Sequence, residues 1–375
     1  MASSASAVGD STDVVRAVGD RLVRVLERVE ARLVERRQFR WSEHLLFEVR
    51  GNGNGAERVL VKRVKAHDRR GRIQNPAIDP RARSLAEHAA LDTIHRIFAR
   101  TAIDGLIAVR PCGCFPELDA VAMDYRPGRH LLSMIARAAR PLTGNRAHAR
   151  AAEAAYRAGQ WLALVHRALA ADPPPEAIPA ARYAARFGEE MKALAAALPE
   201  PAGTLLSDAD AALRASVRAA ETVRILPLHG DFYPDNVVVS SGGLYAVDTT
   251  LLARGPAELD LARFVVGVGT LKLHVIAGEA WVRSRPIERF QRAFLDGYRT
   301  LALVDASLLH PAIARATLMR WSELRSVAGI DLPAPVLALV RRRIDRFMAA
   351  RLERALAALA PDRASPAPMA VGNVA

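Results

Sequence analysis

The chain has 375 residues, 51% hydrophobic and 25% charged, which suffices for a large buried core in one large domain or two lobes. Its two cysteines, Cys112 and Cys114, exclude a disulfide framework and a four-ligand structural zinc site; with no leader pattern and no 18-residue apolar run, the expected location is the cytoplasm, away from membranes. The net charge of +13 comes almost wholly from arginines scattered among alanines, with lysine only at 62, 65, 192 and 272; no basic stripe is interleaved with aromatics, so no nucleic-acid partner is expected.

Small, polar and proline-containing residues at 1–12 and 363–375 predict disordered tails. Valine and leucine at helical spacing in VVRAVGDRLVRVLERVEARLVERR predict an amphipathic helix over 14–37. EHLLFEVRG and ERVLVKRV alternate as strands do, 68–80 reads as a loop, and a helix follows over about 82–99. LIAVRPCGCFPELDAVAMDYRPG reads as two strands joined by a turn. Beyond it the pattern turns helical over 151–170, 181–198 and 206–222, with a proline-rich break at DPPPEAIPAA. ILPLHGDFYPDNVVVSSGGLYAVDTTLL then gives two short β-runs around a Ser-Gly-Gly turn, and the rest is helical. The layout predicts a small strand-rich lobe at 13–125 and a larger, mostly helical lobe at 126–362.

The densest chemistry lies in HGDFYPDN, His229 to Asn236, with Asp248 ending the apolar run that follows. Two strands flanking a turn bring Asn236 toward Asp248. Phosphoryl transfer needs such a set: one carboxylate to orient an acceptor hydroxyl, and a carboxylate with an amide oxygen for Mg²⁺, a hard cation that takes oxygen ligands.

In the first lobe, Lys62 shares a strand face with Leu60 and Val64, so its stem lies on apolar surface. Lysine there offers a compact charge for phosphates. Glu87 sits on the apolar stripe of the 82–99 helix with Leu91, Ile94 and Phe98. A carboxylate on such a stripe needs a partner, and Lys62 is the natural one, with Asp92 as the alternative acid.

With these residues in place, the sequence resembles the aminoglycoside phosphotransferase family of the protein-kinase-like fold. The family pattern H-G-D-x-x-x-x-N, an apolar strand ending in Asp, and a downstream Asp-Leu-Ala appear as His229-Gly230-Asp231, Asn236, Val247-Asp248 and Asp260-Leu261-Ala262. The resemblance implies an α+β, two-lobed architecture: a small antiparallel sheet with one helix, then a mostly helical lobe. It implies an ATP- and Mg²⁺-dependent kinase acting on a hydroxyl of a small molecule of aminoglycoside, sugar or amino-alcohol type. Asp231 becomes the catalytic base, Asn236 and Asp248 the Mg²⁺ ligands, and His229 and Asp260 the supports of the catalytic loop. Lys62 and Glu87 become the nucleotide lysine and its partner, and the backbone at Asp124, Tyr125 and Arg126 the reader of the adenine edge. A protein kinase, or a nucleotide-binding module without turnover, are the alternatives. Gly230, where protein kinases usually carry arginine, and the missing A-P-E element argue against the first.

The glycines of RGNGNGAE suggest a phosphate loop, but the spacing speaks against it. In the kinase-like fold that turn joins the first two strands and the lysine lies on the third. Gly55 and Lys62 are one strand apart, so the glycines belong to a hairpin between strands two and three. The segment expected to cover phosphates, VERRQFRWSE, has no glycine; Arg36, Arg37 and Arg40 are its cations. An acidic pocket for a cationic acceptor would draw on Glu189, Glu190, Asp208, Asp210 or Glu258.

Overall fold

The computed structural model describes residues 11–359 except 40, 53–54, 67–78, 102, 172–173, 272–274, 276–283 and 328–331. The first part of the chain holds a five-stranded antiparallel sheet, in the order β1-β2-β3-β5-β4. Its strands are β1 (Glu30–Gln38), β2 (Ser42–Arg50), β3 (Ala56–Val64), β4 (Pro111–Phe115) and β5 (Ala120–Asp124). Helix α1 (Ser11–Val25) covers one face, placing Val18 and Leu22 against Phe47, Val59, Val61 and Phe115. Helix α2 (Pro80–Arg100) lies on the other, with Leu91 against Val121 and Met123.

Two expectations are corrected here. The helix predicted over 14–37 ends at Val25, and its second half is β1, the sheet's edge strand. Glu27 takes a left-handed φ of 52°, which stops the helix. Ala31 and Leu33 then alternate with charged residues along the edge. Ser11 and Thr12, assigned to the tail, begin α1. Most of the predicted 68–80 loop lies outside the described residues. At its end Asp79 caps α2 by accepting the Arg81 N–H.

The glycine-rich hairpin joins β2 to β3, closing in register at Arg50 opposite Ala56. Gly53 itself lies outside the described residues. Between the first two strands the Phe39 N–H bonds the Ser42 carbonyl. Lys62 is on the third strand, between His44 on β2 and Val121 on β5.

The remainder is largely helical. In chain order it has β6 (Gly128–His130), α3 (Leu131–Ala138), α4 (Asn145–Leu169), β7 (Glu176–Pro179), α5 (Ala180–Ala196) and α6 (Pro201–Arg218). Then come β8 (Thr222–Pro227), β9 (Val237–Ser240), β10 (Gly243–Ala246), β11 (Arg254–Gly255) and α7 (Glu258–Gly269), followed by helices Ser284–Arg299, Ala306–Val327 and Ala334–Ala357. Part of the proline-rich break is strand β7, because Glu176–Pro179 pairs with β8. The core below the site stacks Trp161, Phe232, Phe264 and Phe294. Helix α4 and helix Ser284–Arg299 touch through Gly159 and Gly297. A Cβ at Gly159 would meet the Phe294 carbonyl at 2.0 Å, and one at Gly297 the Tyr156 carbonyl at 1.9 Å.

Candidate active site

The loop between β8 and β9 carries Asp231 and Asn236. It is held from several directions by backbone bonds. Asp231 O accepts the Tyr233 N–H, Tyr233 O accepts the Asn236 N–H, and Pro234 O accepts the Leu132 N–H. The His130 ring contacts the Asp235 carbonyl at 2.6 Å. The Asn236 amide donates to both the Asp231 carbonyl and its carboxylate, each at 2.8 Å. Gly230 has φ +82°, a conformation that side chains disfavour, and so turns the chain into the loop.

Half of the Asp231 side chain is exposed (52%). The rest is hemmed in by protein, and this partial burial raises its pKa to about 6 despite the opposing pull of Arg263. Arg263 Nη1 lies 3.9 Å from the carboxylate.

Asp260 is fully buried on α7 and takes hydrogen bonds from His229 N–H at 2.7 Å and Gly230 N–H at 3.0 Å. His166 Nε2, on α4, lies 3.1 Å from the same carboxylate, and its Nδ1 lies 3.0 Å from the Tyr298 hydroxyl. Burial alone would raise the Asp260 pKa; the His166 hydrogen bond and the nearby positive charges carry it below the ordinary value. The His229 ring is enclosed against Trp161 and Phe232. Burial lowers its pKa to about 4, so it is neutral at physiological pH.

Lys62 connects the sheet to this region. Its Nζ lies 2.9 and 3.0 Å from the two oxygens of Glu87, and 2.5 Å from Asp248 Oδ1. Burial opposes its charge, but the two carboxylates outweigh burial and raise its pKa. Burial and the neighbouring Asp248 raise Glu87, whereas the Lys62 charge overcomes burial and lowers Asp248. Asp248 sits at φ 64°, in left-handed backbone. Asp92, the alternative acid, instead pairs with Arg96 at 2.9 Å.

The connector after β5 is partly committed. Asp124 N–H bonds the Arg110 carbonyl, Tyr125 N–H the Arg58 carbonyl, and the Arg126 carbonyl accepts the Tyr245 hydroxyl. The Asp124 carboxylate takes the Arg110 N–H and the Arg126 guanidinium. Among the described residues nothing bonds the Tyr125 carbonyl or the Arg126 N–H.

Asn236 and Asp248 supply an amide and a carboxylate, the hard oxygen donors that suit Mg²⁺. With Nδ2 of Asn236 turned to Asp231, its Oδ1 is the atom left for a cation. Among the described residues, no group of three or more His, Cys, Asp or Glu could hold a metal.

Several other candidates are engaged elsewhere. Arg36 pairs with Glu43 and Arg37 with Glu35; Arg40 lies outside the described residues. Of the acids considered for a cationic acceptor, Glu189 meets Lys192 and Arg214, Glu190 meets Arg315 and Asp210 meets Arg214. Glu258 is buried and accepts the Asp305 N–H, while Asp208 is exposed.

Sequence reasoning missed His166, Tyr298, His44, Thr249 and Arg263. A polar residue inside an apolar helical run, as His166 in LALVHRAL and Arg263 in LDLARFVV, was the available signal, because such a residue needs a partner. Thr249 is buried and donates to the His229 carbonyl at 3.3 Å.

A model of the phosphotransferase enzyme family (APH) matches residues 47–304, more than half of the chain. The chain belongs to that family. Two solved structures show the same fold. One is a glucosamine kinase in complex with glucosamine, ADP and inorganic phosphate. It is 20% identical at a TM-score of 0.51, covering 94% of this chain and 99% of that one. The other is a Ralstonia eutropha protein provisionally named an aminoglycoside phosphotransferase. It is 15% identical at a TM-score of 0.51, covering 92% of this chain and 98% of that one. No curated protein matches. The α+β kinase-like architecture expected from the motifs is the one found, and no described helix is long and apolar enough to cross a membrane.

Proposed function

We propose that the protein is an ATP- and Mg²⁺-dependent phosphotransferase acting on a hydroxyl of a small molecule, within the aminoglycoside, sugar and amino-alcohol range. The observation that carries this reading is the contact of Lys62 with both Glu87 and Asp248, residues from three separate parts of the chain. It joins a candidate phosphate cation to a candidate metal ligand, next to the Asp231 loop.

Asp231, with a pKa of about 6, is ionised at neutral pH and accepts the proton of the acceptor hydroxyl. Asn236 holds its carboxylate in place. The acceptor oxygen forms a bond to the γ-phosphorus, the bond from that phosphorus to the β–γ bridging oxygen breaks, and ADP leaves. Lys62, oriented by Glu87, neutralises phosphate charge. Asn236 and Asp248 would hold Mg²⁺, which supplies further neutralisation when bound. The Tyr125 carbonyl and Arg126 N–H are the connector groups available to the adenine edge. Asp260 sets the loop through the His229 and Gly230 amides.

The test is ATP turnover over a panel of amino sugars, sugars and amino alcohols. Asp231→Asn should lower turnover by about 10²–10⁴-fold with its melting curve retained, the range for loss of a general base. Full retention of turnover removes Asp231 from that role.

A further inference from the structure

Several acidic side chains of the helical part are paired closely with arginines, whereas Arg263 faces the candidate base Asp231 only at long range. Arg263 lies on α7, and its side chain is only 15% exposed. Its contact with Asp231, at 3.9 Å, is too long for a hydrogen bond. Among the described residues nothing accepts a hydrogen bond from its guanidinium. Nearby arginines are committed: Arg315 to Glu190, and Arg320 to Glu323 and Thr270 while lying over the Tyr233 ring. An enclosed guanidinium with five donors is costly to leave without acceptors.

Arg263 is the strongest charge acting on Asp231, and it also acts on the buried Asp260. The Tyr233 hydroxyl is buried and, among the described residues, has no hydrogen-bond partner.

We propose that Arg263 is a specificity residue that binds a carboxylate of the acceptor, so that the molecule phosphorylated is a hydroxy acid, such as a sugar acid, rather than a cationic amine. This rests on the phosphotransferase reading and moves its acceptor from the neutral and cationic range to anionic hydroxy acids. The guanidinium fork matches a carboxylate in two parallel bonds, which a lysine would not do. Arg263 Nη1 and the Asp231 carboxylate are 3.9 Å apart, so one small molecule can place a hydroxyl on Asp231 and a carboxylate on Arg263.

The test titrates the full-length protein calorimetrically, with and without ADP and Mg²⁺, using matched probes. D-gluconate is compared with D-glucose and D-glucosamine, and D-glycerate with glycerol and ethanolamine. At least one carboxylate should bind about tenfold or more tighter than its neutral and cationic counterparts, the scale of a charged hydrogen bond. Arg263→Gln should bring the members of that set to within about twofold, and Arg263→Lys should keep part of the preference. The proposal is overturned if neither carboxylate outbinds its neutral counterpart, or if the preference survives in Arg263→Gln. Thermal stabilisation by ATP and Mg²⁺ is read separately in the wild type. Its absence would sink the phosphotransferase reading, while the carboxylate comparison stands on its own titrations.

Discussion

Two buried carboxylate clusters adjoin the Asp231 loop, and they are built differently. Asp260 belongs wholly to the helical part of the chain. It receives two backbone N–H bonds and the His166 ring, and His166 is itself steadied by Tyr298. The Lys62 cluster bridges the sheet and the segment after β10, and it places one cation between two acids. Glu87 is 1% exposed, but the Asp248 side chain is 34% exposed. A carboxylate saturated by fixed donors holds a shape. A cation shared by two carboxylates, one of them open to solvent, has a partner to release. The first arrangement suits a scaffold, and the second suits a place where phosphate and metal charge would enter.

Stability separates the two most strongly. Asp260→Ala strands two buried N–H groups and a histidine, so denaturant unfolding should show a loss of about 3–5 kcal/mol. Lys62→Met should abolish turnover but cost less, about 2 kcal/mol at neutral pH, because the carboxyls it leaves behind can take up protons. The sign follows from linkage. Without Lys62, Glu87 and Asp248 titrate above their unfolded values, the native state binds more protons, and the deficit shrinks as pH falls. Asp260→Ala has no such relief above about pH 4, because Asp260 stays ionised there in the wild type. Equal pH dependence in the two variants would erase the distinction.

Much of this was legible in the sequence because the candidate site residues are close together along the chain. HGDFYPDN and VDTT are joined by one hairpin, so spacing alone placed Asp231, Asn236 and Asp248 in one neighbourhood. Lys62 and Glu87 were legible for another reason: each is charged on an otherwise apolar face, and the two could satisfy each other. What failed was of two kinds. Leu33 and Val34 in β1 continue the valine and leucine spacing of α1, and only pairing with β2 settles β1 as a strand. Partners far apart in sequence, such as His166 with Asp260 and Thr249 with the His229 carbonyl, depend on how helices pack and leave no local pattern. The acids Glu189, Glu190 and Asp210 looked available until their arginines were placed.

Acid titration sharpens the same contrast with a smaller effect. His229 adjoins the Asp260 cluster and His44 faces Lys62; burial lowers both to a pKa of about 4. Unfolded, each would titrate near 6.5. Between these values the unfolded chain binds more protons, so stability should fall as pH drops from about 6.5 to 4. Asp231, raised to about 6, works the other way, since its contribution is lost as pH rises from about 4 to 6. The two histidines should therefore make urea midpoints decline toward acid across this window, with Asp231 opposing them below about pH 6. His229→Asn and His44→Asn should each flatten this decline. Activity has its own signature: kcat/KM should rise through about pH 6 as Asp231 ionises.

The smallest expected effect concerns Thr249. Its hydroxyl donates to the His229 carbonyl at 3.3 Å, a long bond beside the saturated cluster. Asp260 already fixes the His229 and Gly230 amides from the other side of the peptide units, so this bond supports a loop that has other supports. Thr249→Val keeps the shape and removes one donor, and should cost about 0.5–1 kcal/mol with turnover nearly unchanged. A larger loss would mean that Asp260 does not hold the loop by itself. A large fall in turnover at unchanged stability would place Thr249 on the Asp248 side of the contrast, because the two residues are adjacent and Asp248 already occupies a left-handed conformation. Measuring both quantities in this one variant separates a scaffold shared along the hairpin from one confined to α7.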